Sequence, residues 1–131
     1  MLVAAGIGDG TGISTAAAAN ANIGTALRGN TEITSFDEFG YFTKANTNPV
    51  DSMFDGCTNL ASIDLSEITT FPYNFLHNTA IQTVNAPNLI SFSGYLSGSG
   101  AVSNCAQLTQ VLNLGHVSVI PNGTFGNCAN L

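Results

Sequence analysis

Charge is what this sequence lacks. Asp, Glu, Lys and Arg make up 8% of its 131 residues, against roughly 25% in typical globular domains. From Ile68 to Leu131 there is none, and Asn, Thr, Ser and Gly take the polar positions instead. Eight acids stand against Arg28 and Lys44, giving a net charge of −6. Without a basic patch nothing drives binding to a phosphate backbone, so no nucleic-acid partner is expected. An anionic membrane surface is excluded for the same reason. No apolar run reaches 18 residues, so no membrane insertion is expected. The opening "MLVAAGIGDG" has no basic stretch and too short an apolar run for a signal peptide. The expectation is that the chain is not secreted by that route, or that Met1 is not the original start.

Chemistry-bearing motifs are missing as well. Zinc needs about four converging ligands, yet no C-x-x-C occurs and His77 and His116 stand apart. "GIGDGTG" fails the G-x-G-x-x-G dinucleotide pattern at its third glycine. As a calcium loop it offers only Asp9. Asp37 and Glu38 are adjacent, so on a strand they face opposite sides. Asp51, Asp55, Asp64 and Glu67 read as solvated acids rather than a glycosidase pair. No serine sits in a nucleophile elbow. Neither catalysis nor a cofactor is expected.

What is present is a repeat. "LRGNTEITSF", "FDGCTNLASI", "FLHNTAIQTV", "VSNCAQLTQV" and "FGNCANL" share one frame: apolar, two residues, Cys or Asn, then apolar residues every third position. Copies start near residues 27, 54, 75, 102 and 125, the last one incomplete. The Cys/Asn position is Asn30, Cys57, Asn78, Cys105 and Cys128. The following apolar positions include Leu60 with Ile63, and Leu108 with Val111. "TKANTNPVDS" and "SGYLSGSGA" read as loop insertions. After each frame comes a short alternating piece, such as "SIDL", which predicts a strand. Its outward positions are Ser35, Asp37, Ser62, Asp64, Thr83, Asn85 and Gln110. An irregular return follows. Residues 1–22 form a glycine- and alanine-rich segment, where Ser14 is a candidate N-cap for a short helix that closes the stack. Residues 23–131 carry the repeats. A single copy buries too little apolar surface to offset its ordering entropy, so stacking of neighbours is required.

The frame of Phe54, Cys57, Leu60, Ile63 and Leu65 resembles the BspA-like leucine-rich repeat, also called the Treponema pallidum type. "GNTEITSFDEFGYFT" looks like the leading segment of such arrays in gut-bacterial and phage sequences. The resemblance implies a right-handed solenoid with short parallel strands on one face and mostly turns elsewhere. It also implies a non-catalytic module of surface proteins, adhesins or phage proteins.

The three cysteines share one repeat position, so they read as interior residues rather than nucleophiles, since a nucleophile is not duplicated once per copy. Stacked strands lie roughly 4.8 Å apart, which leaves a Cys105–Cys128 disulfide open, with poor side-chain geometry. The functional expectation is a structural or binding module of a larger extracellular assembly. That assembly would be a virion, as a phage tail or head fibre, or a bacterial cell surface. The repeat face would recognise protein or glycan. The competing class is an accessory repeat domain of a secreted enzyme. Expected partners are other subunits or a continuation of the array at the C-terminal end, and a host surface protein or glycan.

Overall fold

The computed structural model describes residues 15–93 and 100–131. Asp9, the candidate cap Ser14 and most of the "SGYLSGSGA" insertion lie outside them. Helix α1 (Thr15–Asn20) is followed by strand β1 (Ser35–Phe36), a 3-10 turn (Phe39–Tyr41) and helix α2 (Thr43–Thr47). Five short strands complete the order: β2 (Ser62–Ile63), β3 (Thr70–Phe71), β4 (Thr83–Asn85), β5 (Ser91–Phe92) and β6 (Gln110–Leu112).

Strand pairing follows the repeat. β1 pairs with β2 in parallel, placing Phe36 opposite Ile63, and β4 pairs with β6, placing Val84 opposite Val111. All four belong to one repeat position. Between the two pairs a bond from Gln82 N to Ala61 O at 3.3 Å joins the second copy to the third, and Thr109 N to Gln82 O at 3.0 Å extends the β4–β6 pair. The third pair, β3 with β5, lies on the return segment, where Phe71 meets Phe92. The return is therefore not wholly irregular. The strands form three two-stranded pairs rather than one sheet on one face. Two or three residues per strand leave little ladder to join, and turns carry the other bonds between copies.

Those turn bonds correct the repeat register. The N–H groups of Gly29, Gly56, Asn78 and Asn104 donate to the carbonyls of Asp55, His77, Ser103 and Gly126 in the next copy, at 2.7–3.0 Å. In the same way Phe54, Leu76 and Val102 donate to Phe75, Ala101 and Thr124. Both series stay in phase only if the third copy starts at Leu76 and its Cys/Asn slot is Thr79. Asn78 is thus one residue before the slot. The third copy is one residue shorter between slot and strand, and Thr79 is buried.

The residue before each slot is Gly29, Gly56, Asn78, Asn104 or Asn127, and all five have φ between 55° and 76°. This left-handed region costs an ordinary L-residue roughly 1–2 kcal/mol, whereas Gly, and to a lesser degree Asn, tolerate it. The turn therefore selects Gly or Asn there in every copy.

The core runs from Ala18 and Ile23 through Leu27, Phe54, Leu76 and Val102 to Leu108. Phenylalanines fill its first half. Phe36, Phe39, Phe54, Phe75 and Phe71 form a chain of ring contacts with centroids 5.3–6.1 Å apart, a spacing that adds to area burial. Part of the expected "TKANTNPVDS" loop is helix α2. Phe39, Phe42, Ala45 and Asn46 are buried at helical spacing, and Asn46 Nδ2 donates to Phe39 O and Phe42 O at 2.8 and 3.0 Å. Helix α1 packs on α2 and the 3-10 turn. Burial fades toward the last copy. Val111, Leu114, Val117, Phe125 and Cys128 are only partly covered, and Leu112, Ile120 and Leu131 are exposed.

Candidate functional site

Slot residues serve the interior. Cys57 Sγ lies 2.9 Å from Leu27 O, Cys105 Sγ 3.1 Å from Leu76 O, and Cys128 Sγ 3.1 Å from Val102 O. Each thiol thus donates to the copy before it. Asn30 Oδ1 accepts from the N–H of Glu32 and Ile33, and Thr79 Oγ1 donates to Leu76 O. Slot occupants therefore share a role, satisfying turn backbone. All three cysteines are free, with Cys57 and Cys105 buried and Cys128 half-buried. Burial pushes the Cys57 thiol up to about 11, helped by the nearby negative charge of Asp55 and opposed by backbone hydrogen bonds. Burial raises Cys105 too. Neither is a poised thiolate.

Outward strand positions line up in rows. Ser35 stands opposite Ser62, and Thr83 opposite Gln110. The second row runs Asp37, Asp64, Asn85 and then Leu112, where Asn85 pairs with Leu112. Ser35, Asp37, Ser62, Asn85 and Gln110 are exposed; Asp64 and Thr83 are partly covered. Ser62 Oγ donates to Asp37 Oδ1 at 2.8 Å, and Asn113 Nδ2 to Asn85 Oδ1 at 2.6 Å. Of the companion interior residues, Leu60 and Leu108 are fully buried, while Ile63 and Val111 are half-buried.

A further row, which no motif in the sequence marks, runs along the turn edge. Arg28 Nη2 lies 3.2 Å from Asp55 Oδ2. Asp55 Oδ1 lies 2.7 Å from His77 Nδ1. His77 Nε2 lies 2.9 Å from Asn104 Nδ2, and Asn104 Oδ1 accepts from Asn127 Nδ2 at 2.9 Å. One side chain from each of the five copies takes part. Because Asn104 donates to Nε2, the bonding fits a neutral ring protonated at Nδ1. His77 is thus tied at both nitrogens. Asparagine side chains also bridge copies elsewhere: Asn59 to Thr31 O, Asn88 to Ser66 O, and Asn130 to Ala106 O, at 2.6–2.7 Å. Short amides, each able to donate and accept, suit a structure in which equivalent positions stack. Like charges at those positions would repel.

A groove of about 580 Å³ opens beside α1, α2 and the first two strands, and Asp37, Tyr41, Asn46, Asp64 and Glu67 line it. His116 is exposed and borders a shallow depression with Asn88 and Ile90. Among the described residues no group of three or more His, Cys, Asp or Glu is placed to hold a metal ion. Among them, too, no helix is long and apolar enough to cross a membrane.

No curated protein and no solved structure matches the chain. The model of the BspA-type leucine-rich repeat region, which has six copies, matches residues 30–97 and 51–131. The repeated frame, the in-phase bonds between copies and this match agree: the chain belongs to the BspA-type leucine-rich repeat family.

Proposed function

We propose that the chain is a non-catalytic module of a larger extracellular assembly, a virion fibre or a bacterial surface adhesin, coiled as a right-handed solenoid. It recognises a protein or glycan through its polar strand face. The observation that carries this reading is the in-register rows Ser35–Ser62 and Thr83–Gln110. Short hydroxyl and amide groups at fixed spacing can bond the hydroxyls of a saccharide, or peptide groups, without a charged partner. A glycan array, together with a pull-down from native virions or cell envelope, tests it. Saturable retention, weakened by Thr83→Ala and Gln110→Ala, supports the reading. Hydrolysis of a bound glycan by this chain alone, or retention unchanged by those substitutions, overturns it.

The assembly contact at the C-terminal edge is proposed to be a coil of the same frame, from the continuing array or a neighbouring subunit. The second, third and fourth copies each send two such turn N–H groups to the next. By that register the N–H groups of Phe125 and Asn127 face outward, beside the exposed Ile120 and Leu131. A second copy docked end to end would bring donors against donors. A further coil brings its carbonyls, as Asp55 brings its own to Gly29.

A further inference from the structure

We infer that the groove beside α1 and α2 binds a guanidinium group carried by an arginine side chain of a partner protein. Three carboxylates, those of Asp37, Asp64 and Glu67, line it. None is ion-paired among the described residues. The ion pair there joins Asp55 to Arg28, and Asp55 is also hydrogen-bonded to His77. Lys44 sits on α2 but does not line the groove.

Two of the three carboxylates are held in place. Asp37 Oδ1 accepts from Ser62 Oγ, and Asp64 Oδ1 accepts from Ser66 N at 3.0 Å. Asp64 Oδ2 rests where a Cβ on Gly40 would be, so any side chain at residue 40 would displace it. An independent observation points the same way. Asn46, 1% exposed, also lines the groove, and its Oδ1 is the buried side-chain acceptor without a partner among the described residues. Its Nδ2 is already engaged by Phe39 O and Phe42 O. Beside these acceptors stands Tyr41, 59% exposed, a ring available to a flat cation.

The groove therefore combines several acceptors, uncompensated negative charge and an open aromatic face. An anion would be repelled. A neutral sugar would leave the charges unbalanced. A guanidinium brings five N–H donors in a plane, full positive charge, and a face that stacks on an aromatic ring. The inference does not require that the strand face bind a glycan.

The test is an amide NMR titration of the full chain with N-acetyl-argininamide as probe. N-acetyl-lysinamide, methyl glucoside and calcium chloride serve as comparisons. The expected result is a saturable shift at Tyr41, Ser66 and the Asn46 side-chain amide, weakened at least tenfold by Asp64→Asn combined with Glu67→Gln. Glu67→Gln alone, at an exposed position, keeps the fold and should weaken it severalfold. Absence of saturation with argininamide overturns the inference. So does equal or stronger binding of lysinamide, methyl glucoside or calcium at the same amides. Glycan retention is read at Thr83 and Gln110, outside the groove, so either idea can fail without the other.

Discussion

The thiol of Cys57 lies 2.9 Å from the carbonyl oxygen of Leu27, thirty residues earlier and one copy away. The same bond recurs from Cys105 to Leu76 and from Cys128 to Val102. Sulfur at this position is thus part of the contact between copies, and burial rather than reactivity sets its chemistry.

Thiol labelling should separate the three. Cys57 and Cys105 are buried and Cys128 is not fully covered. Pulsed alkylation read by mass spectrometry should modify Cys128 first, with the other two following at the rate of opening. Equal fast labelling of all three would contradict the slot geometry.

Stability should fall at alkaline pH. The folded Cys57 thiol titrates at about 11 against an ordinary 9.0, so the unfolded chain loses this proton first as pH rises. The thiol's contribution is full below pH 9, declines as pH climbs toward about 11, and levels off beyond it. Cys105 shifts in the same direction and adds to the slope. Urea midpoints measured from pH 8 to 11 should therefore decrease, and Cys57→Ala should flatten the decline. A midpoint that rises over that range would refute the argument.

Turn chirality can be tested at Gly56. Its φ is 76°, and an added Cβ would lie 3.4 Å from Gly29 Cα. Gly56→Ala should cost about 1–2 kcal/mol, the penalty for an L-residue in this region. Gly56→Asn should cost less, since Asn fills the equivalent place at residues 78, 104 and 127. Thermal or urea unfolding of the two variants gives the comparison, and the reverse order would remove the conformational explanation.

Strand phase is open to a paired substitution. Leu60 is fully buried, and Leu60→Ala should cost about 2–5 kcal/mol. Ser62 is exposed and its bond to Asp37 is at the surface, so Ser62→Ala should stay within about 0.5 kcal/mol. Equal costs in urea unfolding would mean that the inward and outward sides are misassigned.

Much of the architecture was legible in the chain. Apolar residues at third positions, followed by alternation, marked the buried Leu27, Leu60 and Leu108 and the outward Ser62 and Gln110, because burial and the pleat impose those periods. The pairing of Phe36 with Ile63 and of Val84 with Val111 followed from repeat equivalence alone. The Gly or Asn before each slot was also visible, and it could have placed the third slot at Thr79. Matching Asn78 to Cys in "HNT" misplaces the slot by one residue, since side-chain type does not reveal backbone sign.

Tertiary structure decided the rest. Helix α2 forms inside a stretch rich in turn residues because Phe39, Phe42 and Ala45 find a core to enter, and tertiary burial outweighs weak local propensity. The row from Arg28 through Asp55, His77 and Asn104 to Asn127 joins residues 22–27 positions apart, a proximity that exists only once copies stack with a defined offset. The groove is likewise a product of packing. Asp64 and Glu67 read in the sequence as solvated acids and Asp37 as an outward strand position; α1 and α2 set them around one opening with Asn46 and Tyr41. Composition and period determine which residues lie inside, because those depend on local spacing. Which surface groups meet depends on the offset between copies, and that is a property of the folded chain.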